Sequence, residues 1–412
     1  MVFSIKIAIQ PRRITLRMKL FTLFIILAVS SHLSLFSRQI DTTKTKKIVI
    51  VESNNERLDD KENTIPFRVD INDSSIYQLR EYVRKQIQLP VDSDLQVIFS
   101  VMEWVRNQWA HDGFNEPPAS ATSLEILKLA QQGAKYSCNE YGAVFSDVLL
   151  SLGYISRIVN LNSLDIAYGP LGMGHVASEV WSNSLQKWIF IDPQFCMYAK
   201  HNGQYLNYYE IFQLRKQGKY NDIEFVMPNS YVKNNKLNKT QLVVEYRKFL
   251  QNYFGYLVTP YRRNNFSSLI VLMLDAKEQF LTNQGLSSYP LVFTHDPKDF
   301  YFPINRTLIV FNYQALSPSW SKIVNDYQLQ TMQDYTNNMY KFAAKPDFTL
   351  LFQNSMPWFN HYEFKMEDGP WIPLDNDLVN WVAKEGINTV RARAVNFAGI
   401  PGPTTMIRIK YE

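Results

Sequence analysis

Lys135-Tyr-Ser-Cys138-Asn-Glu-Tyr-Gly-Ala-Val-Phe145 opens an apolar stretch, and Gly174-His175-Val-Ala-Ser-Glu-Val-Trp181 and Trp188-Ile-Phe-Ile-Asp192-Pro193 follow it. The fold turns on how residues 135–193 are read. Tyr141, Val144, Phe145, Val148, Leu149 and Leu152 recur at i, i+3, i+4 and i+7, the stripe of a helix buried on one side, and Gly153 is its stop. Cys138 precedes the stripe, so it stands at the helix N-terminus and not among the packed residues. Unpaired backbone N–H groups and the positive end of the helix dipole there favour thiolate over thiol. The same N–H groups suit an oxyanion.

Tyr154–Leu161 reads as a strand and 162–173 as a loop; His175–Trp181 and Gln186–Asp192 read as two further strands with Asn183-Ser184 between them. Taken as a two-residue hairpin turn, that pair sets Ser182 against Leu185 and His175 directly opposite Asp192. Opposed residues share a face with Cβ atoms about 5 Å apart, close enough for a carboxylate to bond an imidazole. A longer loop would shift the register. Singly, a strand histidine is most often structural, and an aspartate before proline is commonly a turn residue. Together, after a helix-start cysteine, Cys138, His175 and Asp192 have the inventory and order of a nucleophilic Cys-His-Asp site.

Working outward, residues 37–75 are polar and charged and read as a linker. Ile76–Gln88 is expected to be an amphipathic helix. Pro90-Val-Asp-Ser-Asp94 leads into another, in which Leu95, Ile98, Met102, Val105 and Trp109 recur at helical spacing. Residues 111–122 form a loop, and Ser123–Ala130 a short helix. Ahead of the linker, Arg12, Arg13, Arg17 and Lys19 precede the apolar run Leu20–Val29 and the small residues Ala28, Ser30 and Ser31. That is the pattern of a cleaved export signal within residues 1–36, with a single membrane anchor as the rival reading.

Beyond the central stretch, 226–288 reads as a mixed connector in which Thr240–Phe254 is either helix or strand and Leu269–Leu274 a strand. From 289 to 412 short strands dominate: Phe300–Phe302, Thr307–Tyr313, Phe348–Phe352, Tyr362–Met366, Gly386–Asn396 and Thr405–Tyr411, punctuated by glycine and proline turns.

The chain has 412 residues, more than one core usually serves, and is 46% apolar, which excludes a largely disordered protein. A net charge of +5 gives no basic groove, and nothing in the sequence calls for nucleic acid. The two cysteines, Cys138 and Cys196, leave a single disulfide open as an alternative to a free nucleophile. No metal-ligand spacing or phosphate loop is visible, so no cofactor or metal is expected.

The Cys at a helix start, Gly153-Tyr-Ile-Ser-Arg157, His175 to Val180, Trp188 to Pro193 and the upstream Trp104-Val-Arg106 together resemble the transglutaminase-like core of the papain-like cysteine-protease superfamily, over roughly residues 80–220. The run from Trp371 to Tyr411 looks like the end of an immunoglobulin-like or fibronectin-like module. The resemblance implies an α+β fold, a papain-like core at 76–225 (helices packed on an antiparallel sheet) followed by an all-β sandwich at 289–412. It also implies Cys138 as nucleophile, His175 as general base and acid, and Asp192 as the residue orienting the imidazole. Asn139 departs from the aromatic that many members place after the cysteine. The function expected is an exported enzyme acting on protein or peptide amides through a thioester, by hydrolysis or by transfer to an amine. The alternative is a binding or scaffolding protein that keeps the fold without turnover.

Overall fold

The computed structural model describes residues 45–58, 74–90, 93–170, 172–263, 266–313 and 319–412. The proposed export signal and part of the linker lie outside them. Strand β1 (Ile48–Ser53) is followed by helices α1 (Ser74–Gln86), α2 (Asp94–Arg106), α3 (Ser123–Gln131) and α4 (Cys138–Ser151). Strands β2 (Ser156–Asn162), β3 (Gly174–Ser182), β4 (Lys187–Asp192), β5 (Met197–His201) and β6 (Gln204–Tyr205) come next, then helix α5 (Tyr208–Lys216) and strand β7 (Glu224–Val226). Helices α6 (Asn229–Asn234) and α7 (Lys239–Leu250) lead to β8 (Tyr256–Arg263), β9 (Phe266–Met273), the small hairpin β10 (Thr282–Asn283) and β11 (Leu286–Ser287), and β12 (Leu291–Thr294). The class is α+β.

One nine-stranded sheet, ordered β12-β9-β8-β2-β3-β4-β5-β6 with β7 against β5, carries the helices. Leu79 and Val83 of α1, Ile98 and Met102 of α2, Leu127 of α3 and Val144, Phe145, Val148 and Leu149 of α4 share a buried cluster with Ala177, Phe190 and Ile191 of the sheet. The apolar stripe read from the sequence is thus the packed face of α4. A Cβ added at Gly142 would lie 2.7 Å from Val176 Cγ1, so glycine lets the helix seat closely on β3.

The stretch read as a connector belongs to this layer. Helix α7 buries Tyr246 and Leu250 in the same cluster, and β8 pairs with β2. Thr240–Phe254 resolves as a helix with a 3₁₀ turn because its apolar and aromatic residues serve one face. The linker also needs correction. Ile48-Val-Ile-Val51 is β-branched throughout, and β1 closes a C-terminal sheet.

That sheet, ordered β1-β19-β18-β15-β16, contains β15 (Phe359–Met366), β16 (Ile372–Leu374), β18 (Gly386–Asn396) and β19 (Thr405–Tyr411). A second sheet holds β13 (Thr307–Tyr313), β14 (Asp347–Asn354) and β17 (Leu378–Val382). Phe352 of β14 meets Tyr362 and Phe364 of β15 at ring separations of 5.5 and 5.9 Å. Region 289–412 is not strand alone: β12 joins the core sheet, running parallel to β9. Residues 319–346 belong to a small unit with helices α8 (Trp320–Asp326) and α9 (Met332–Phe342), held by ring contacts such as Trp320 on Tyr335 at 5.5 Å. Phe300-Tyr-Phe302 is not a strand either. It follows a 3₁₀ turn (Pro297–Asp299); Phe300 and Tyr301 lie on the Arg157 guanidinium, and Phe302 packs with Trp181 and Trp188.

Arg157 is the polar centre of the core. Its Nε and Nη2 donate to Glu179 Oε2 at 3.1 and 2.6 Å, and Nη1 donates to the Phe300 carbonyl at 2.8 Å. The guanidinium lies 4.1 Å from the Trp188 ring centre. Glu179 Oε1 accepts from the Tyr208 backbone N–H at 2.9 Å and from the Tyr301 hydroxyl at 2.7 Å. Both charges are fully buried with their hydrogen bonds met, the condition under which such a pair is tolerated.

Candidate functional site

Cys138 is the first residue of α4, and the sequence fixes that start tightly. Ser137 is the N-cap: its Oγ accepts from the Asn139 N–H at 3.2 Å, while its own N–H donates to Glu140 Oε2 at 3.0 Å in a capping box. One turn on, buried Tyr141 stacks on Trp109 with ring centres 4.6 Å apart, and its hydroxyl accepts from Arg106 Nη1 at 3.1 Å. The helix end is therefore held both along its own axis and from the side. Cys138 is half-buried and Cys196 fully buried, and both are free thiols. The two cysteines do not form a disulfide.

His175 and Asp192 come together, but not in the register read from the sequence. The β3–β4 loop is Asn183–Gln186, four residues with Gln186 at φ 50°, so Ser182 pairs with Lys187 and Ser178 with Ile191. Continued one step, this sets Asp192 opposite Ala177, two residues from His175. A shift of two keeps parity, and the two side chains still share a face. His175 Nε2 donates to Asp192 Oδ2 at 2.8 Å with both groups buried. Asp192 is also a turn residue, since its Oδ1 accepts from the Phe195 N–H at 3.2 Å. Asp192 thus takes a turn bond on one oxygen and the imidazole bond on the other.

Cys138 lines the same cleft as His175, and its sulfur is close enough to act electrostatically on the imidazole. With Nε2 committed to Asp192, Nδ1 is the ring nitrogen left for it. Burial pushes the imidazole down, but the Asp192 carboxylate, its hydrogen bond and the Cys138 sulfur outweigh that and raise it to about 9. Burial pushes the Cys196 thiol well up, as expected of an inert core cysteine. The three residues singled out in the sequence thus meet at one place.

Several partners were not singled out. Tyr246 donates its hydroxyl to Asp192 Oδ2 at 2.9 Å. Phe249 meets the His175 ring edge-on at 5.0 Å, with Phe195 at 5.7 Å and Tyr253 at 6.0 Å. The spacing of Tyr246, Phe249 and Tyr253, i, i+3 and i+7, is a helical stripe, and it was the available signal in a segment left undecided between helix and strand. His111 lines the cleft as well; burial, then the nearby His175 charge, hold its imidazole below the ordinary range.

The cleft at Cys138 has a volume of about 530 Å³. Asn139, Asn160, Asn162, Gln194, Asn283 and Gln284 are among its lining residues, and among the described residues no Asp, Glu, Lys or Arg lines it. Among the described residues no group of three or more His, Cys, Asp or Glu side chains is placed to hold a metal, and no helix is long and apolar enough to cross a membrane.

Fold and site define an α+β protein in which a thiol and an imidazole line one cleft and a buried carboxylate bonds the imidazole. No family model matches the chain, and no curated protein matches it. Among solved structures it is similar to the transglutaminase of red sea bream, with 10% identity and a TM-score of 0.20 over 77% of this chain and 68% of that one. At that level only a weak likeness of fold is in view, and no activity passes from one protein to the other.

Proposed function

We infer that the protein is a transglutaminase-like cysteine enzyme that cleaves or transfers acyl groups at protein or peptide amides. The observation that carries this reading is the bond from His175 Nε2 to Asp192 Oδ2 at 2.8 Å, with Cys138 and the same imidazole lining one cleft. Cys138 attacks the amide carbonyl as thiolate, forming the C–S bond. The carbonyl pair moves onto oxygen, and the Cys138 N–H, in a helical first turn with no internal acceptor, is a donor for it. The His175 imidazolium passes its proton to the departing amine as the C–N bond breaks, leaving a thioester. Water or a second amine, deprotonated by the now neutral His175, then attacks the thioester; the C–S bond breaks, the acid or new amide departs, and the thiolate–imidazolium pair is restored. Asp192 holds the ring and stabilises its charge throughout.

Apart from Cys138 and the imidazoles, the described residues of the lining are carboxamides, small residues and apolar or aromatic ones, which suits a neutral chain around the scissile amide. The protein is read as exported, with the C-terminal sheets as an immunoglobulin-like module that binds or spaces; the ring contacts of Phe352 across to β15 support that packing. The test is release of ammonia and new amino termini from a mixed peptide pool, with and without a primary amine. Cys138→Ala is expected to abolish release while its melt stays close to that of the parent. Undiminished release by the folded variant overturns the assignment.

A further inference from the structure

Asp192 is buried completely and accepts three hydrogen bonds: from His175 Nε2 at 2.8 Å, the Phe195 N–H at 3.2 Å and the Tyr246 hydroxyl at 2.9 Å. Two of these fall on one atom, Oδ2. Tyr246 comes from α7, outside the stretch that the family resemblance covers, and it is 1% exposed. Phe195 and Phe225 pack on its ring at 5.0 and 5.2 Å, so the hydroxyl has no freedom to swing away. A buried tyrosine hydroxyl needs a partner, and this one shares the oxygen that orients the candidate general base.

We propose that Tyr246 is a positioning residue of the thiol site, which sets the direction of the Asp192 carboxylate and limits how strongly Oδ2 holds the His175 imidazolium. The proposal rests on the functional reading above and deepens it. A hydroxyl donating to Oδ2 draws negative charge from it, so the carboxylate holds the imidazolium less tightly than it would alone. Its placement also pins the carboxylate plane, without which one oxygen would serve Nε2 in more than one rotamer. Removing the hydroxyl therefore loosens the geometry and tightens the proton. The burial of Tyr246 and the neighbouring carboxylate hold its phenol well above the ordinary range, so it stays a donor at every working pH.

The titratable groups facing His175 are Cys138 of α4, Asp192 of β4, Tyr253 after α7 and His111 across the cleft. Tyr246 acts on the ring only through Asp192, which makes its effect separable. The experiment is an NMR titration of labelled His175 in the full-length protein, run beside turnover of the peptide pool. In Tyr246→Phe the imidazole midpoint is expected to rise above that of the parent, while turnover falls about tenfold, the usual worth of a hydrogen bond to a charged group. Tyr208→Phe is the control for a structural role. Its buried hydroxyl donates to the Tyr253 carbonyl at 2.8 Å, and losing it is expected to leave the midpoint in place. Fluorotyrosine at position 246 alone, a stronger donor, moves the midpoint down, and this serves should Tyr246→Phe not fold. An unchanged midpoint in either position-246 variant overturns the proposal. Loss of the raised midpoint in the parent itself, with no release from the pool, overturns the functional reading instead.

Discussion

Replacing Asp192 with asparagine tests the site most directly. In the parent His175 is raised to about 9, so at pH 7.5 the ring is about 97% cationic. Burial acts in the opposite direction, and the carboxylate is the first cause opposing it. Asp192→Asn leaves only the sulfur to offset burial, and the midpoint falls toward or below the ordinary 6.5, where about 10% of the ring or less is cationic at that pH. The carboxamide also offers N–H groups to Nε2, which favours the wrong tautomer. A triad losing its carboxylate in this way drops by about 10⁴-fold in turnover. Stability changes with the same group. Because the folded-state value is raised, the contribution of His175 is fully present below about 6.5 and is lost as pH rises through about 9. The parent melting temperature is therefore expected to decline across that window, and the variant to lack that part of the decline. Turnover within tenfold of the parent, or an imidazole midpoint still near 9 in the asparagine variant, would refute the reasoning.

Native alkylation by iodoacetamide is expected to add one label, at Cys138, with Cys196 labelled only after denaturation, because one thiol borders the cleft and the other is buried; intact mass reads the count, and two labels on the folded protein count against the contrast. Glu179→Gln leaves the Arg157 guanidinium buried without its counter-charge, and about 3–5 kcal/mol of stability is expected to go with it in a denaturant melt, with a loss under 1 kcal/mol arguing against the pair as the centre of the core.

The candidate site was legible largely because its chemistry lies in one stretch. The cysteine could be placed by its position ahead of an apolar stripe, and the histidine and aspartate by strand alternation. Even the wrong turn length did little harm: two extra residues preserve parity, whereas one would have turned Asp192 away. What escaped was whatever depended on distant partners. Tyr246 sits 54 residues from Asp192, and nothing local says that its hydroxyl ends on that carboxylate. Phe300-Tyr-Phe302 reads as a strand by composition, yet its first two rings pack on a guanidinium from a distant strand. Ile48–Val51 alternates no polar residues and was lost in charged surroundings, its pairing partner being near the other end of the chain. Local periodicity reports which face is apolar, not what will cover it.

The buried bond from Asn396 Nδ2 to the Gly153 carbonyl at 2.8 Å joins residues 243 positions apart. Gly153 ends the helix that begins with Cys138, and its φ of 90° together with the nearby Ala398 leaves no room for a side chain. Arg157 likewise waits for Phe300, 143 residues on. The order of synthesis then acts as a brake: a chain still emerging carries its thiol long before it owns the far segments that bed the thiol's helix and the sheet beside it. Whatever chemistry the sulfur performs is expected to wait until Phe300 and Asn396 have been made.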